Sequence, residues 1–532
     1  MDSWGHFQRN CWISKDFSFL LDYSLLLDAA GALSSANEEF QCAISEMQKT
    51  EAGEIVNGDE QRMVGHYWLR NSALCPVPEL TRAIEDELAH VQRFSSAVHS
   101  GEVAPKNGEK FESLLLIGIG GSALGPQLLS EAFRTGAQPL RFYSIDNTDP
   151  DGIALTLSEI PDLGKTLVLV ISKSGGTKET RNAMMLTENA FRLRGLDFAK
   201  QAVAITGEGS LLYTKAKGEG WLDIFPMWDW VGGRTSLWAS VGLLPSALLG
   251  VNIDQLLQGA KEMDQWTREG ELRNNPAGIL AFAWRAMAKS KDMVVLPYKD
   301  RLLLTSRYLQ QLVMESLGKQ LDRDGQVVEE GLAVYGNKGS TDQHAYIQQL
   351  RDGRNNFFAV FIEVLHDFAQ LKNPGAELLK FQKESELEVE EGTTSGDYLQ
   401  GFYLGTRQAL AENGRASITI TIPDVSARSL GAVLALFERA VSFYASLTNI
   451  NAYHQPGVEA GKKAAGRVLE LKAQVESVLQ GASAALTVEQ VAKELGSEQN
   501  VHIFKILERL VATGAVQRTI EGDLFNALYK FR

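Results

Sequence analysis

Apolar runs of strand length recur along two stretches of the chain, and most end at or beside Gly, Asp, Ser or Thr. The runs are Leu114–Ile119, Leu140–Asp146, Thr166–Ser172 and Gln201–Thr206 in the first stretch, and Asp292–Pro297, Gly331–Tyr335, Asn356–Leu365 and Ala416–Ile422 in the second. Stretches with helical periodicity separate them. Runs that are apolar on both faces, with helices between them, are typical of parallel sheets covered by helices on both sides. The pattern therefore predicts an α/β fold with two mainly parallel sheets.

Several domains are expected because 532 residues exceed what a single core usually supports. We predict a mainly helical N-terminal region over 1–111 that packs around the first sheet, αβα sandwich domains over 112–274 and 275–480, and a small segment over 481–532. This last segment has two helical patterns and a hairpin pattern, which resemble a winged helix. Residues 486–532 hold six Lys or Arg and six Asp or Glu, so we expect no basic surface for DNA there.

Charge and composition exclude several classes of function. The net charge of −14 disfavours nucleic acid as a partner, and an anionic ligand would need a site built locally from N–H groups, hydroxyls and a few cations. No apolar run approaches the ~20 residues of a membrane span, and no secretory signal is visible, so we expect no membrane partner. The three cysteines lack the spacing of a disulfide framework or a zinc site. A cytoplasmic location fits these features.

A glycine-rich turn follows the first apolar run. Gly118, Gly120 and Ala123 lie between a strand pattern and a helical pattern, and such a turn lets a ligand approach the backbone and the N–H groups of the helix start. The spacing also satisfies a dinucleotide-binding fingerprint, with Asp146 near the position of a ribose-binding acid. An anion site, an NAD-dependent dehydrogenase site and a turn without ligand all remain open on this motif.

A second polar turn, SKSGGTKET over 172–180, ends the third run. Its hydroxyl groups on Ser172, Ser174 and Thr177 surround two glycines at the start of a helical pattern, where they can hold a tetrahedral phosphate from several directions. The carboxyl ends of parallel strands meet at one edge of a sheet, so we expect the two turns side by side. Because a dinucleotide has no obvious use for so many hydroxyls, the pair of turns favours a phosphate monoester.

If the phosphate belongs to a sugar whose aldose and ketose forms are interconverted, the site also needs a base that moves a proton between neighbouring carbons. Glu315 lies four residues after Gln311 on one face of a helical pattern. The apolar stripe of that pattern comprises Leu309, Leu312, Val313, Leu317 and Leu321. An ordinary solvated carboxylate and a partly desolvated base both satisfy the pattern.

Histidine and cationic side chains supply the remaining candidates. His344 follows Ser340, Thr341 and Asp342, which can cap a helix, so we expect His344 in or near a first helical turn. Arg234 follows two glycines among tryptophans, where its permanent charge suits an anionic intermediate, although stacking at the surface is equally compatible. Lys462 borders an apolar helix face, where it either reaches a site or extends to water. The eight histidines show no metal-ligand spacing, and the chemistry needs no cofactor or metal.

Six sequence blocks, in order, resemble the glucose-6-phosphate isomerase family. They are IGIGGSALGP, SKSGGTKET, DWVGGRTSLWASVGLLP, MESLGK, GSTDQHAYIQQL and HQPGVEAGK. The likeness extends from about residue 50 to about residue 470 and leaves the C-terminal segment outside. It implies two sugar-isomerase domains, a reversible isomerisation of glucose 6-phosphate and fructose 6-phosphate through a cis-enediol or enediolate, and a homodimer with shared active sites.

The resemblance also implies roles for individual residues. Glu315 would be the base, Arg234 would stabilise the enediolate, and His344, offered by the partner subunit, would open the sugar ring with Lys462. The remaining implied residues bind or line the substrate site and are Gly120, Gly121, Ser122, Ser172, Lys173, Ser174, Thr177, Gln311 and Gln455.

Two departures from the family pattern accompany the resemblance. His454 lies in a Tyr-His-Gln triplet where a Phe-Asp-Gln type is frequent, which leaves the partner of Lys462 open, and Ser174 replaces a frequent Thr. A non-catalytic sugar-phosphate sensor is a further alternative, but the candidate base, histidine and cations argue against it.

Overall fold

The first group of apolar runs lies in a parallel five-stranded sheet in the computed structural model. The structure describes residues 3–16, 18–26, 36–106, 108–367, 387–520 and 522–532, without the side chains of 458–460 and 462. The strand order is β4-β3-β5-β6-β7. The strands are β3 (Ser113–Ile117), β4 (Arg141–Ile145), β5 (Thr166–Ile171), β6 (Ala202–Thr206) and β7 (Asp223–Pro226). The four predicted strands are confirmed, whereas β7 was not predicted because its run is short and mixed in polarity.

The second group of runs forms a six-stranded sheet of order β1-β2-β15-β12-β8-β11. Four strands are parallel, as predicted: β8 (Asp292–Pro297), β11 (Val334–Tyr335), β12 (Phe357–Val364) and β15 (Ser417–Ile422). The antiparallel edge consists of β1 (Cys11–Ile13) and β2 (Leu20–Leu25). The expectation that the whole N-terminal region packs around the first sheet was wrong for these two strands, since β2 pairs with β15 and β1 pairs with β2. These pairings satisfy backbone groups of both strands.

Helices cover both sheets, so the predicted α/β class is confirmed. Those before residue 455 are Ser3–Arg9, Asn37–Glu51, Pro78–Ser100, Leu124–Ala132, Pro150–Glu159, Lys178–Leu193, Leu211–Glu219, Ser240–Leu248, Ile253–Trp266, Pro276–Ala288, Thr305–Leu309, Ile347–Asp352, Ser395–Glu412 and Ala427–Leu447. Two small antiparallel pairs complete this part: β9 (Lys319–Leu321) with β10 (Val327–Glu330), and β13 (Glu388–Glu390) with β14 (Thr393–Thr394).

The helix Ala427–Leu447 lies at the centre of the core. By length and composition it would qualify as a membrane span, contrary to the expectation that no run approaches that length, but 89% of its apolar window is buried inside the protein. Such burial is typical of a core helix. Its Arg439 is fully buried and donates to Asp264 at 2.8 Å, while Arg70 donates to the same carboxylate at 2.7 Å. This pairing compensates the desolvation of the buried guanidinium groups.

The chain divides into two compact units, Met1–His454 and Gln455–Arg532. The second unit contains the helices Pro456–Gly481, Val488–Leu495 and Asn500–Ala512 and the antiparallel strands β16 (Val516–Thr519) and β17 (Leu528–Phe531). Its core includes Val475, Ile503 and Leu507. The two short helices and the hairpin predicted there are confirmed. The winged-helix likeness and the predicted domain limits stay predictions.

Candidate active site

Two polar turns lie side by side at the carboxyl edge of the first sheet. Ile117, the last residue of β3, pairs with Val170 in β5, so the turns that follow these strands start next to each other. The first turn forms a short 3-10 helix over Gly120–Ser122 before the helix Leu124–Ala132. The second leads from Ser172 to the helix Lys178–Leu193. The predicted juxtaposition of the two turns is thus present.

The second turn is organised by its own hydroxyl groups. Ser172 Oγ accepts from the N–H of Gly175, and Ser174 Oγ accepts from the N–H of Gly176, both at 3.1 Å. Gly175 has a φ of +69°, and a Cβ there would lie 2.3 Å from the nitrogen of Leu212, so only glycine fits. Thr177 occupies the N-cap position of a 16-residue helix. A phosphate at this end would meet hydroxyls, N–H groups and the positive end of the helix dipole.

Lys173 connects this turn to the segment that carries Arg234. Its Nζ lies 3.2 Å from Asp229 Oδ1 and donates to the carbonyl of Val231 at 3.4 Å. Burial lowers the pKa of Lys173, and Asp229 acts in the opposite direction. The ammonium group is therefore a half-buried cation next to the hydroxyl-rich turn, as a phosphate site requires.

The first turn is in close backbone contact with the Gly232–Gly233 turn. A Cβ on Gly121 would lie only 2.1 Å from the carbonyl oxygen of Gly233. A Cβ on Gly120, which has a φ of +58°, would lie 3.1 Å from Gln311 Nε2. Glycines here bring Gln311 and Arg234 to the edge of the first sheet.

Arg234 and Glu315 form a shielded ion pair. Arg234 is 6% exposed, and its Nη2 donates to the carbonyls of Ala452 and His454, both at 2.9 Å. Its Nη1 lies 3.3 Å from Glu315 Oε2. Burial lowers the pKa of Arg234, and the Glu315 carboxylate opposes this shift. The guanidinium is thus fixed at a distance from which it can act on charge at the carboxylate.

Glu315 ends a π-helical segment, Gln310–Glu315, that continues the helix Thr305–Leu309. Such segments occur frequently at functional sites. The Glu315 side chain is only 18% exposed. This low exposure favours a partly desolvated base over an ordinary solvated carboxylate. The predicted stripe is buried except for Leu321, which lies exposed in β9 because the helix ends before Lys319.

His344 is exposed and ends the short 3-10 helix Thr341–His344. The expected position in or near a first helical turn is met by this 3-10 helix, and the next α-helix begins only at Ile347. Within the described part of the chain, no hydrogen bond or ion pair joins His344 to Glu315.

Gln455 and Lys462 belong to the second compact unit. Gln455 precedes the helix Pro456–Gly481, which contains Lys462. The Lys462 side chain lies outside the described residues. The position of these two residues relative to Glu315 therefore remains a prediction.

Asp146 was the candidate ribose-binding acid, but its carboxylate is bonded to other side chains of the protein. Its Oδ2 accepts from Gln127 at 2.9 Å and from Arg307 at 3.1 Å. The carboxylate therefore pairs with Arg307 in the helix Thr305–Leu309, which follows β8. This arrangement does not favour a dinucleotide site.

Sequence reasoning missed Lys319. Its Nζ donates to the carbonyl of Glu315 at 2.7 Å, and the residue is 6% exposed. The one signal was its spacing of four residues from Glu315 within the block MESLGK. No group of three or more His, Cys, Asp or Glu side chains suited to a metal occurs among the residues that the structure describes.

The fold and this site define an α/β protein of the sugar isomerase class, and comparisons with known proteins specify its family. The sequence model of the family described as phosphoglucose isomerase matches residues 32–486. The chain is 53% identical over 532 residues to glucose-6-phosphate isomerase of Synechococcus elongatus, covering 99% of this chain and 97% of that protein. It is 52% identical over 514 residues to glucose-6-phosphate isomerase of Trichormus variabilis, covering 96% and 95%. The chain belongs to the phosphoglucose isomerase family.

A solved structure of a relative agrees in fold. The crystal structure of a glucose-6-phosphate isomerase from Chlamydia trachomatis matches with a TM-score of 0.77 and 27% identity, over 88% of this chain and 91% of that chain. The resemblance inferred from the six sequence blocks is confirmed.

Proposed function

We propose that this chain interconverts glucose 6-phosphate and fructose 6-phosphate through an open-chain sugar and a cis-enediolate. The observation that carries the proposal is the shielded pair of Glu315 and Arg234, placed beside the glycine turn of the first sheet. The names of its relatives support the choice of substrate. They do not support a dehydrogenase or a non-catalytic sensor.

Glu315 acts as the base in this reaction. Its carboxylate removes the proton from carbon 2 of the open-chain aldose, and the electrons of that bond form the double bond between carbons 1 and 2. The carbonyl oxygen at carbon 1 becomes the enediolate oxygen. A proton moves from the oxygen on carbon 2 to the oxygen on carbon 1. Glu315 then returns the carbon-bound proton to carbon 1 while a carbonyl forms at carbon 2, which gives the ketose.

Arg234 stabilises the negative charge that develops on the enediolate. Two carbonyls already hold its guanidinium in place, so little reorganisation accompanies the appearance of charge. Burial of both partners lowers the local dielectric constant and strengthens this interaction relative to water.

The phosphate group is held by the two polar turns. Ser172, Lys173, Ser174 and Thr177 bind its oxygens, and Gly120, Gly121 and Ser122 line the same edge of the sheet. Gln311, whose amide lies next to Gly120, contacts sugar or phosphate oxygens. We propose that Gln455 also holds a sugar or phosphate oxygen.

Ring opening requires His344 and Lys462, and we propose that His344 comes from a partner subunit. The exposure of His344 in one chain supports a homodimer with shared active sites, because an exposed side chain is free to enter another subunit's site. A cytoplasmic location is part of the same proposal. The function of the C-terminal segment is not assigned.

A coupled assay tests the proposed function. Purified protein should convert fructose 6-phosphate to glucose 6-phosphate without added metal, and EDTA should leave the rate unchanged, because the proton moves between carbon and a carboxylate. Fructose 6-phosphate should also raise Tm by mass action, whereas NAD should not. A Tm shift with NAD alone, or loss of activity on chelation, would contradict the proposal.

A further inference from the structure

Lys319 is a buried lysine to which the roles above assign nothing. It is the first residue of β9 and is 6% exposed, and its Nζ donates to the main-chain carbonyl of Glu315 at 2.7 Å. Burial of an ammonium group is costly unless the group is bonded or paired. Here its hydrogen-bond partner is the main chain of the residue that carries the candidate base.

The reversal of the chain after Glu315 determines the position of Lys319. The N–H of Gly318 donates to the carbonyl of Met314 at 2.9 Å, and a Cβ on Gly318 would lie 2.7 Å from that oxygen. Lys319 then pairs with Glu330 across the β9/β10 ladder. Its main chain is therefore fixed in a hairpin while its side chain returns to the end of the π-helical segment and satisfies a carbonyl there.

Four titratable or charged groups interact with the Lys319 ammonium group. They come from four separate segments and are Arg234, Glu315, Asp59 and His454. Arg234 is also the ion-pair partner of Glu315. Lys319 is thus a second cation beside the Glu315–Arg234 pair, and it acts on the same carboxylate.

We propose that Lys319 is a positioning residue for Glu315, which holds the end of the π-helical segment in place and adds positive charge next to Arg234. This inference rests on the function proposed above. The charge is present only while the amine is protonated. Burial and the Arg234 charge lower the pKa of Lys319 to about 8, against the opposing effects of Glu315 and Asp59. The rate should therefore fall on the alkaline side as this amine loses its proton.

The test compares Lys319→Gln and Lys319→Arg with wild type in steady-state kinetics between about pH 6 and pH 10. For Lys319→Gln we expect kcat to fall ~10- to 100-fold at neutral pH, with KM changed by less than about threefold, because a positioned donor and its charge are lost. The decrease in kcat/KM near pH 8 should be absent. For Lys319→Arg we expect a smaller loss of rate and a decrease displaced to higher pH, because a guanidinium stays protonated.

Lys291→Gln is the matched control. Lys291 is also a partly buried lysine with a lowered pKa, caused by burial, but it donates to Asn355 Oδ1 at the amino end of β8. Its kinetics should match wild type. This comparison separates loss of any partly buried lysine from loss of the one that contacts Glu315.

Wild-type kcat in Lys319→Gln, or an unchanged decrease near pH 8, would overturn the inference. If Lys319→Gln does not fold, Lys319→Arg decides, and an unchanged alkaline profile would refute the role. Glu315→Gln separates this inference from the proposed function. If that variant is inactive while Lys319→Gln behaves as wild type, only the role of Lys319 is lost. If Glu315→Gln itself is fully active, the proposed function is lost.

Discussion

Glu315 shows why residue type and spacing do not determine a role. Helical periodicity correctly places it off the apolar stripe, where a glutamate is usually solvated. In the folded chain its side chain is only 18% exposed and lies 3.3 Å from Arg234. The shielding comes from segments far away in sequence, since Arg234 itself is held by the carbonyls of Ala452 and His454.

Glu315→Gln should lower kcat by ~10²–10⁴ with little change in KM, because an amide keeps the shape of the carboxylate but cannot accept the proton. Steady-state kinetics with fructose 6-phosphate measure this effect. The matched control is Glu79→Gln, whose side chain is 75% exposed in the helix Pro78–Ser100. Activity of Glu315→Gln within a few-fold of wild type would assign Glu315 to the ordinary surface carboxylates.

At the level of the structural elements, the site depends on the contact between the turn that contains Gly121 and the Gly232–Gly233 turn. Both were visible in the sequence, but their contact was not. A Cβ on Gly121 would lie 2.1 Å from the carbonyl oxygen of Gly233, so the two backbones touch where any side chain would separate them. This contact positions the 3-10 helix Gly233–Trp238, which carries Arg234, against the turn that follows β3.

Gly121→Ala should therefore displace the Gly233 backbone and with it Arg234. We expect a loss of stability of about 1–3 kcal/mol, typical of overpacking, together with a reduced kcat. Thermal unfolding and the isomerase assay measure the two effects. Gly218→Ala serves as control, because it lies in the helix Leu211–Glu219 with no atom within 4 Å of the added Cβ. Equal behaviour of the two variants would refute the close-contact argument.

Other elements were predicted to different extents. The bounds of β8 were predicted as observed, and those of β12 and β15 to within one residue, because buried parallel strands give continuous apolar runs between polar residues. The strands β9 and β10 were missed, since their residues other than the buried Lys319 are exposed or half-buried and carry no apolar period. His344 lies in a helical turn as expected, but the sequence pattern did not show that this turn is a 3-10 helix of only four residues.

At the level of the whole molecule, His90 connects the N-terminal region to the first sheet. It lies in the helix Pro78–Ser100, and its Nε2 is 2.8 Å from Asp223 Oδ2 at the start of β7. Its Nδ1 is 3.7 Å from Glu87, and its ring stacks on Phe225 with centroids 4.2 Å apart. The hydrogen bond to Asp223 and the nearby Glu87 carboxylate raise the pKa of His90 to about 9.

This raised pKa makes the stability of the protein depend on pH. A group with a higher pKa in the folded state stabilises that state fully below its unfolded value, here 6.5, and this contribution is lost as pH rises through about 9. The free energy of unfolding of wild type should therefore decrease relative to that of His90→Asn between these values. Chemical denaturation at a series of pH values measures the difference.

His99→Asn is the control for this pH dependence. His99 lies in the same helix and bonds to the carbonyl of Leu248 at 2.9 Å. Because its ring bonds to a neutral carbonyl and not to a carboxylate, this variant shows whether loss of any bonded histidine from the helix changes the free energy of unfolding between pH 6.5 and pH 9. A slope that persists in His90→Asn would show that other groups cause it.

The sequence by itself determined the α/β class, most of the parallel strands, both polar turns and the family, because periodicity, turn chemistry and ordered motifs are local properties of the chain. Only the tertiary structure decided which of these features meet. The antiparallel strands β1 and β2 at the edge of the second sheet, the contact between Gly121 and Gly233, the pairing of Arg234 with Glu315 and the position of Lys319 all depend on packing. Arg234 and the carbonyl of Ala452 are 218 residues apart in sequence, and no local pattern encodes such a contact.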